Sequence, residues 1–187
     1  MKMSMNYILQ LRKAVCCFLT SLVLISCKSN EVKDIAKQYT AFIETPISIP
    51  QQLVFESLGS GIKRADMDSK YKIIVYHSEN GCTDCNMRLL LRWQAYIPTL
   101  PKDVSVYLIF RDYDYQSIKQ RVAMYNDINH PYFVDMDGHF ESENPSLPGN
   151  PLFHTFLLKD NKVYLIGSPV DNERVRFLYD KALGMLQ

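Results

Sequence analysis

The chain has no surplus of charge of either sign. Its 21 Lys and Arg stand against 20 Asp and Glu, a formal net charge of +1. That removes the basic footprint that nucleic-acid binding requires. No internal repeat or low-complexity tract occurs, which excludes solenoids and repeat arrays. There is no phosphate-cradling loop and no nucleophilic-serine motif, so nothing points to nucleotide or serine-hydrolase chemistry. The apolar stretch from Ala14 to Ile25 is short for a membrane span, which needs about 20 residues. What remains is 187 residues with a 47% hydrophobic and a 22% charged share. That composition fits one globular domain with a short appendage.

The appendage is the N-terminus. Lys2, Arg12 and Lys13 are its only charged residues, and the apolar stretch that follows has the length of an export-signal core. The stretch ends in Leu24-Ile25-Ser26-Cys27, which resembles the bacterial lipobox. The resemblance implies cleavage of residues 1–26, a diacylglyceryl group on the Cys27 thiol and an acyl chain on its amine. Two or more such chains suffice for stable membrane attachment. The alternative is an ordinary signal or anchor with a coincidental cysteine. Cleavage would take three of the 21 cations and none of the 20 anions, leaving 18 against 20 and a net charge of −2. The expected location is the cell envelope, lipid-anchored and extracytoplasmic, facing the periplasm or the surface of a Gram-negative bacterium. Cys16 and Cys17 leave with the signal and Cys27 is consumed, so two cysteines remain, Cys82 and Cys85. They face an oxidising compartment, where disulfides persist.

The expected organisation is a tether over 27–45, an N-terminal extension over 46–70 packing on the domain, and the domain itself over 71–187. In the extension, Pro46 to Pro50 reads as a short edge strand, because its prolines forbid a long central one. Leu53, Val54, Phe55 and Leu58 read as a small helix stopped at Gly59-Ser60-Gly61. From Tyr71 the pattern sharpens. Lys72 to Tyr76 is a buried strand. Met87 to Ile97 carries Leu90, Trp93 and Ile97 at helical spacing and is closed by Pro98 and Pro101. Val104 to Phe110 is a second strand. Asp114 caps a helix with Ile118, Val122 and Tyr125 on one face. Pro131 to Val134 is a strand closed by the turn Asp135-Met136-Asp137-Gly138. Phe153 to Leu158 and Val163 to Ile166 form a hairpin about Asp160-Asn161. A last helix from Asp171 aligns Val175, Leu178, Tyr179, Ala182 and Leu186.

Gly81-Cys82-Thr83-Asp84-Cys85 falls between the first strand and the first long helix. A C-x-x-C pair at such a junction is where a redox-active disulfide, Cys82–Cys85, is expected. The free N–H groups and positive dipole end of the helix stabilise a thiolate on the first sulfur. The Asp84 carboxylate opposes a second negative charge and raises the Cys82 pKa. A less stabilised thiolate means a more reducing couple.

The element order is strand, C-x-x-C, helix, strand, helix, strand, hairpin and helix. It predicts an α/β fold with a central mixed sheet flanked by helices. The order, with Ile73–Cys85, Phe133-Val134-Asp135-Met136-Asp137-Gly138 and the hairpin Thr155 to Val163, resembles the thioredoxin-like three-layer sandwich. More narrowly it resembles the lipid-anchored TlpA/ResA type of Bacteroidetes-like lipoproteins, over residues 71–187. That resemblance implies thiol–disulfide exchange with exported proteins. Cys82 would attack, Cys85 would resolve, and a membrane electron donor would regenerate the pair. No cofactor or metal is implied. The family's cis-proline position falls on Phe153, with Pro151 two residues earlier. The family's buried acid falls on Tyr76, leaving Glu79 or His77 to substitute. Pro151, Phe153, Glu79 and Asp84 are therefore the expected modulating or substrate-facing residues. Two alternatives stay open. One is a binding or scaffold lipoprotein with a static Cys82–Cys85 disulfide. The other is a copper-binding chaperone of the Sco type, using the cysteines with His154 or His77.

Overall fold

The computed structural model describes residues 30–51, 53–56, 68–78, 83–124 and 130–186, with only the backbone of 54–56 and 83–88. The signal region, Cys27, Glu79, Cys82 and Tyr125 lie outside the described residues. The chain divides into two compact units, Met1–Ala41 and Phe42–Gln187. Helix α1 runs over 30–42, and its side chains before Phe42 are exposed or half-buried.

Among the described residues the second unit is built on a six-stranded sheet of order β1-β4-β3-β2-β5-β6. Strand β2 (Tyr71–His77) is buried throughout except at its first residue. A continuous run of this kind marks a strand covered on both faces. It pairs in parallel with β3 (Val104–Arg111) and antiparallel with β5 (Thr155–Lys159). Beyond β3 lies β4 (Tyr132–Asp135), also parallel. Beyond β5 lies β6 (Lys162–Ile166). The turn between them has Asp160 and Asn161 at φ 52° and 63°, the doubly positive geometry that a two-residue hairpin with twisted strands favours.

The crossovers β2–α2–β3 and β3–α3–β4 step across the sheet in one direction. Right-handed connections then place both helices on the same face. Leu90, Trp93 and Tyr96 of α2 (Thr83–Tyr96) and Ile118 and Val122 of α3 (Tyr115–Met124) accordingly share one core. Tyr179 of α5 (Glu173–Ala182) joins them. The opposite face is covered by shorter pieces. Phe42 meets Phe156 edge-on with ring centres 5.3 Å apart. Phe140 of α4 (His139–Glu143) lies 4.9 Å from the Tyr76 ring. Helices thus flank a mixed central sheet, as the element order predicts.

Several elements depart from the sequence expectation. Val54–Glu56 is not the start of a helix but strand β1, paired antiparallel with β4. Its Val and Phe suit a pleated surface, and β4 would otherwise leave its backbone edge unpaired. Pro46 makes a single bridge to Lys162, flanked by N–H donation from Ile47 to the Asn161 carbonyl and from Val163 to the Thr45 carbonyl. Asn144 ties this segment down. Its amide accepts from Ser48 N (2.8 Å) and donates to Ser48 O (2.9 Å) and Phe140 O (2.7 Å). Residues 42–56 are therefore woven into the same unit as the sheet.

Helix α4 was not legible in the sequence. The buried Asp135 carboxylate builds it by accepting from the N–H groups of His139 and Phe140, both at 2.9 Å. Gly138, at φ 73°, makes the turn between. In α3, Asp114 caps as expected, accepting from Ser117 N at 3.1 Å. In α5 the cap is Asn172 rather than Asp171, accepting from Arg174 N and Val175 N. Leu178 and Leu186 stay exposed, because Val175, Tyr179 and Ala182 already fill the inward stripe.

Trp93 is the chain's one tryptophan and is fully buried at the centre of the larger core. Trp93→Ala should destabilise the fold by about 3–5 kcal/mol, read as a lowered midpoint in urea by circular dichroism. A loss below about 1 kcal/mol would show that this packing is dispensable.

Candidate functional site at the carboxyl end of strand β2

Open α/β sheets place ligands beyond the carboxyl ends of their parallel strands. A cavity of about 410 Å³ lies there. Tyr76, His77 and Ser78 bring the end of β2 to it, and Leu89 brings α2. Pro151, Leu152, His154 and Thr155 come from the approach to β5. Gly167, Ser168, Asp171, Asn172 and Val175 come from the loop after β6 and the start of α5.

Each wall is fixed by its backbone. The short 3-10 turn Pro151–Phe153 starts from Asn150, whose side chain accepts from Leu152 N at 3.0 Å. The turn closes when His154 N donates to the Pro151 carbonyl, also at 3.0 Å. The His154 carbonyl accepts from Tyr76 N at 2.8 Å, extending the β2–β5 ladder. Gly167 N donates to the Thr155 carbonyl at 2.7 Å, and the Gly167 carbonyl accepts from the buried Tyr179 hydroxyl at 3.1 Å. Gly167 has φ 116°, and a Cβ there would meet Val175 at 3.2 Å. Arg92 of α2 reaches Asp171 at 2.8 Å and joins the two helices that border the cavity.

The electrostatics are set by burial. The Tyr76 phenol is pushed far above its usual range by desolvation, helped by the nearby Glu141 carboxylate, so it stays neutral and cannot serve as the base. His154 is buried, and its Nε2 lies 2.9 Å from the Pro148 carbonyl. A carbonyl only accepts, so Nε2 carries the proton. Desolvation lowers the His154 pKa, and the Pro148 carbonyl opposes that shift. His77 is buried and stacks on Phe110 with ring centres 4.7 Å apart.

The expected site residues divide as follows. Asp84 and Cys85 lie in the first turn of α2, whose backbone alone is described. Cys82 and Glu79 lie outside the described residues, in the connection between Ser78 and Thr83. Pro151 lines the cavity, and no cis peptide bond occurs among the described residues. Phe153 does not face the cavity. It is 2% exposed and its ring meets Phe42 edge-on at 6.4 Å, because the 3-10 turn directs it to the opposite core. His77 and Tyr76 line the cavity. Ser168, Asn172 and Val175 were not foreseen, since they arrive only when β6 and α5 fold back beside β2.

No protein-family model matches the sequence, and no curated protein matches it significantly. Solved structures do match in shape. A thioredoxin-like protein determined in its oxidised form superposes with a TM-score of 0.50 at 14% identity, over 79% of this chain and 99% of that one. The thioredoxin domain of a thiol-disulfide oxidoreductase from Bacteroides vulgatus gives 0.44 at 16% identity, over 62% and 80% of the two chains. StoA from Bacillus subtilis gives 0.43 at 14%, over 59% and 83%. The chain has the thioredoxin-like fold.

The depressed His154 pKa has a consequence for stability. An unfolded histidine titrates near 6.5, so below that pH the unfolded chain binds a proton that the folded chain resists. Stability is whole above pH 6.5 and falls as the pH drops through it. His130, half-buried and with its pKa also lowered by desolvation, adds to the same slope. His154→Asn should flatten the loss between pH 7 and 5, measured by urea unfolding at both values. An unchanged slope would remove His154 from the account.

Proposed function

We propose that this protein is a membrane-anchored, extracytoplasmic thioredoxin-like protein that carries out thiol–disulfide exchange on exported proteins through Cys82 and Cys85. One observation carries the reading. The cavity at the carboxyl end of β2 is bordered by Ser78 and by α2, and the C-x-x-C pair spans the junction of that strand and that helix, with Cys82 before α2 and Cys85 in its first turn. The fold provides a place for a substrate where the sequence provides sulfur chemistry.

The reaction balances without a cofactor. The Cys82 thiolate attacks one sulfur of a substrate disulfide, forms a mixed disulfide and expels the other sulfur as a thiolate, which takes a proton. Cys85 loses its proton and attacks the Cys82 sulfur, releasing the second substrate thiol. The substrate gains two electrons and the Cys82–Cys85 pair loses two. A membrane dithiol donor, reacting by the same exchange, restores the pair. Cys27 lipidation keeps the protein at the membrane where that donor resides.

A Cys85→Ser variant in the native host should accumulate mixed disulfides through Cys82, recoverable under alkylating conditions and released by dithiothreitol. A Cys82–Cys85 disulfide that resists glutathione, with no trapped species, would instead support the static scaffold. The couple should be well more reducing than the about −120 mV of a strong oxidant. Asp84→Asn should shift it toward oxidising values by about 10–30 mV, the equivalent of roughly 0.5–1.4 kcal/mol, in glutathione-buffered titrations. A shift of the opposite sign would refute the role given to Asp84.

A further inference from the structure

We propose that the β5–β6 hairpin end of the sheet rests on the phospholipid headgroups of the bilayer that holds Cys27, and so turns the C-x-x-C junction away from the membrane. The proposal rests on the anchored reading given above and adds to it a surface that contacts lipid.

Three observations carry it. First, the residues that lead back toward Cys27 are fastened to this hairpin. Glu44 N donates to the Val163 carbonyl at 2.8 Å, and Val163 N donates to the Thr45 carbonyl at 2.9 Å. Pro46 bridges to Lys162 beside them. Phe42 follows Cys27 by 15 residues, a stretch that spans at most about 50 Å. Once the lipid is inserted, contact between this end and the bilayer is intramolecular. Contacts too weak to recruit a free protein then suffice to orient a tethered one.

Second, the strand pairing gathers lysines and tyrosines at this end. Tyr71 stands opposite Lys159, and Lys159 stands opposite Lys162. The Lys70 carbonyl accepts from Asp160 N in the hairpin turn at 2.9 Å. The Lys159 amine lies 5.3 Å from the Tyr164 ring centre, and the Lys70 amine lies 5.8 Å from that of Tyr71. Tyr164 is 38% exposed. Tyrosine favours the headgroup level of a bilayer, and lysine lays its stem on apolar surface while its ammonium reaches the phosphates. Glu44, Asp68, Asp103 and Asp160 are exposed at the same end. Cations and carboxylates are therefore interspersed, which matches a layer of phosphate and ammonium groups better than a polyanion.

Third, this end is opposite the sulfur pair. Strand β2 starts here at Tyr71 and finishes at the cavity with His77, a rise of about 20 Å. With the hairpin on the headgroups, the junction that carries Cys82 faces the space through which exported proteins pass.

The test adds the lipidated protein, as purified from its host's membranes, to vesicles of phosphatidylcholine and phosphatidylethanolamine. Flotation of the protein with the vesicles reports the anchor. Amine acetylation followed by mass spectrometry reports the surface. Lys70, Lys159 and Lys162 should be labelled several-fold more slowly on vesicles than in maltoside micelles, whose headgroups carry no charge, while Lys181 on α5 should label equally in both. In a Cys85→Ser protein carrying a fluorophore on Cys82, energy transfer to rhodamine-labelled lipid should rise when Lys70, Lys159 and Lys162 are all replaced by Glu. Equal labelling of the three lysines in the two settings, or transfer unmoved by the charge reversal, overturns the proposal. The two readings fail separately. Protein that floats but shows no protection keeps the anchor and loses the surface, whereas protein that stays behind when the vesicles float defeats the anchored reading itself and the orientation with it.

Discussion

The structure depends on the double pairing and double covering of strand β2. It is hydrogen-bonded to β3 on one side and β5 on the other, and buried from Lys72 to His77. A backbone so placed satisfies its polar groups only if both neighbours are in register. That requirement fixes where β2 ends. It also fixes where α2 must begin and which side chains meet beyond the strand. The cavity is the space left when β5 approaches β2 through His154 and β6 turns away at Gly167.

The two faces of the sheet are held differently. On one, the same-handed crossovers lay α2 and α3 side by side, and α5 completes a core around Trp93 and Tyr179. Tyr96 links α2 to α5: its hydroxyl lies 3.3 Å from Asp180, and the Arg176 guanidinium sits 4.8 Å from its ring centre. Among the described residues the other face carries no long helix and is covered by single side chains. Phe42, Phe140 and Phe153 cover it, and Asn144 fastens the Pro46–Pro50 segment across it. Arg111 donates to the carbonyls of Asp135 and Met136 and stacks 4.1 Å from the Tyr113 ring centre. That steadies the turn into α4. Lys72 is buried with its amine donating to Asn161 at 2.8 Å and to the Ser69 carbonyl, which anchors the hairpin turn to the start of β2.

These arrangements bear on function through rigidity. Binding groups act best on elements whose own positions are locked. His154 is held through its backbone N–H, its carbonyl and its imidazole, so its protonation state is set by the fold rather than by a substrate. Tyr76, with desolvation and Glu141 both opposing ionisation, keeps its phenol neutral. The cavity is therefore a preformed, weakly polar space at the end of β2, bordered by α2.

The central strands, the two long helices and the hairpin were legible in the sequence because each carries its own period. Lys72 to Tyr76 is a continuous apolar run, Leu90 and Trp93 stand at helical spacing, and Asp160-Asn161 tolerates left-handed backbone. The C-x-x-C pair was legible because it falls where one period gives way to the other. Val54–Glu56 misled because three residues carry no period, and an unpaired β4 edge decided their state. Helix α4 was hidden because its start depends on a buried carboxylate reaching two N–H groups. Phe153 faces the opposite core because a 3-10 turn, invisible in composition, rotates it there. The sequence by itself determined the order of elements and the location of the sulfur pair, since both depend on local pattern. Only the tertiary structure decided which side chains share the cavity. Tyr76 is far along the chain from His154, Ser168 and Val175, and the pairing of β2 with β5 and the return of β6 and α5 bring them together.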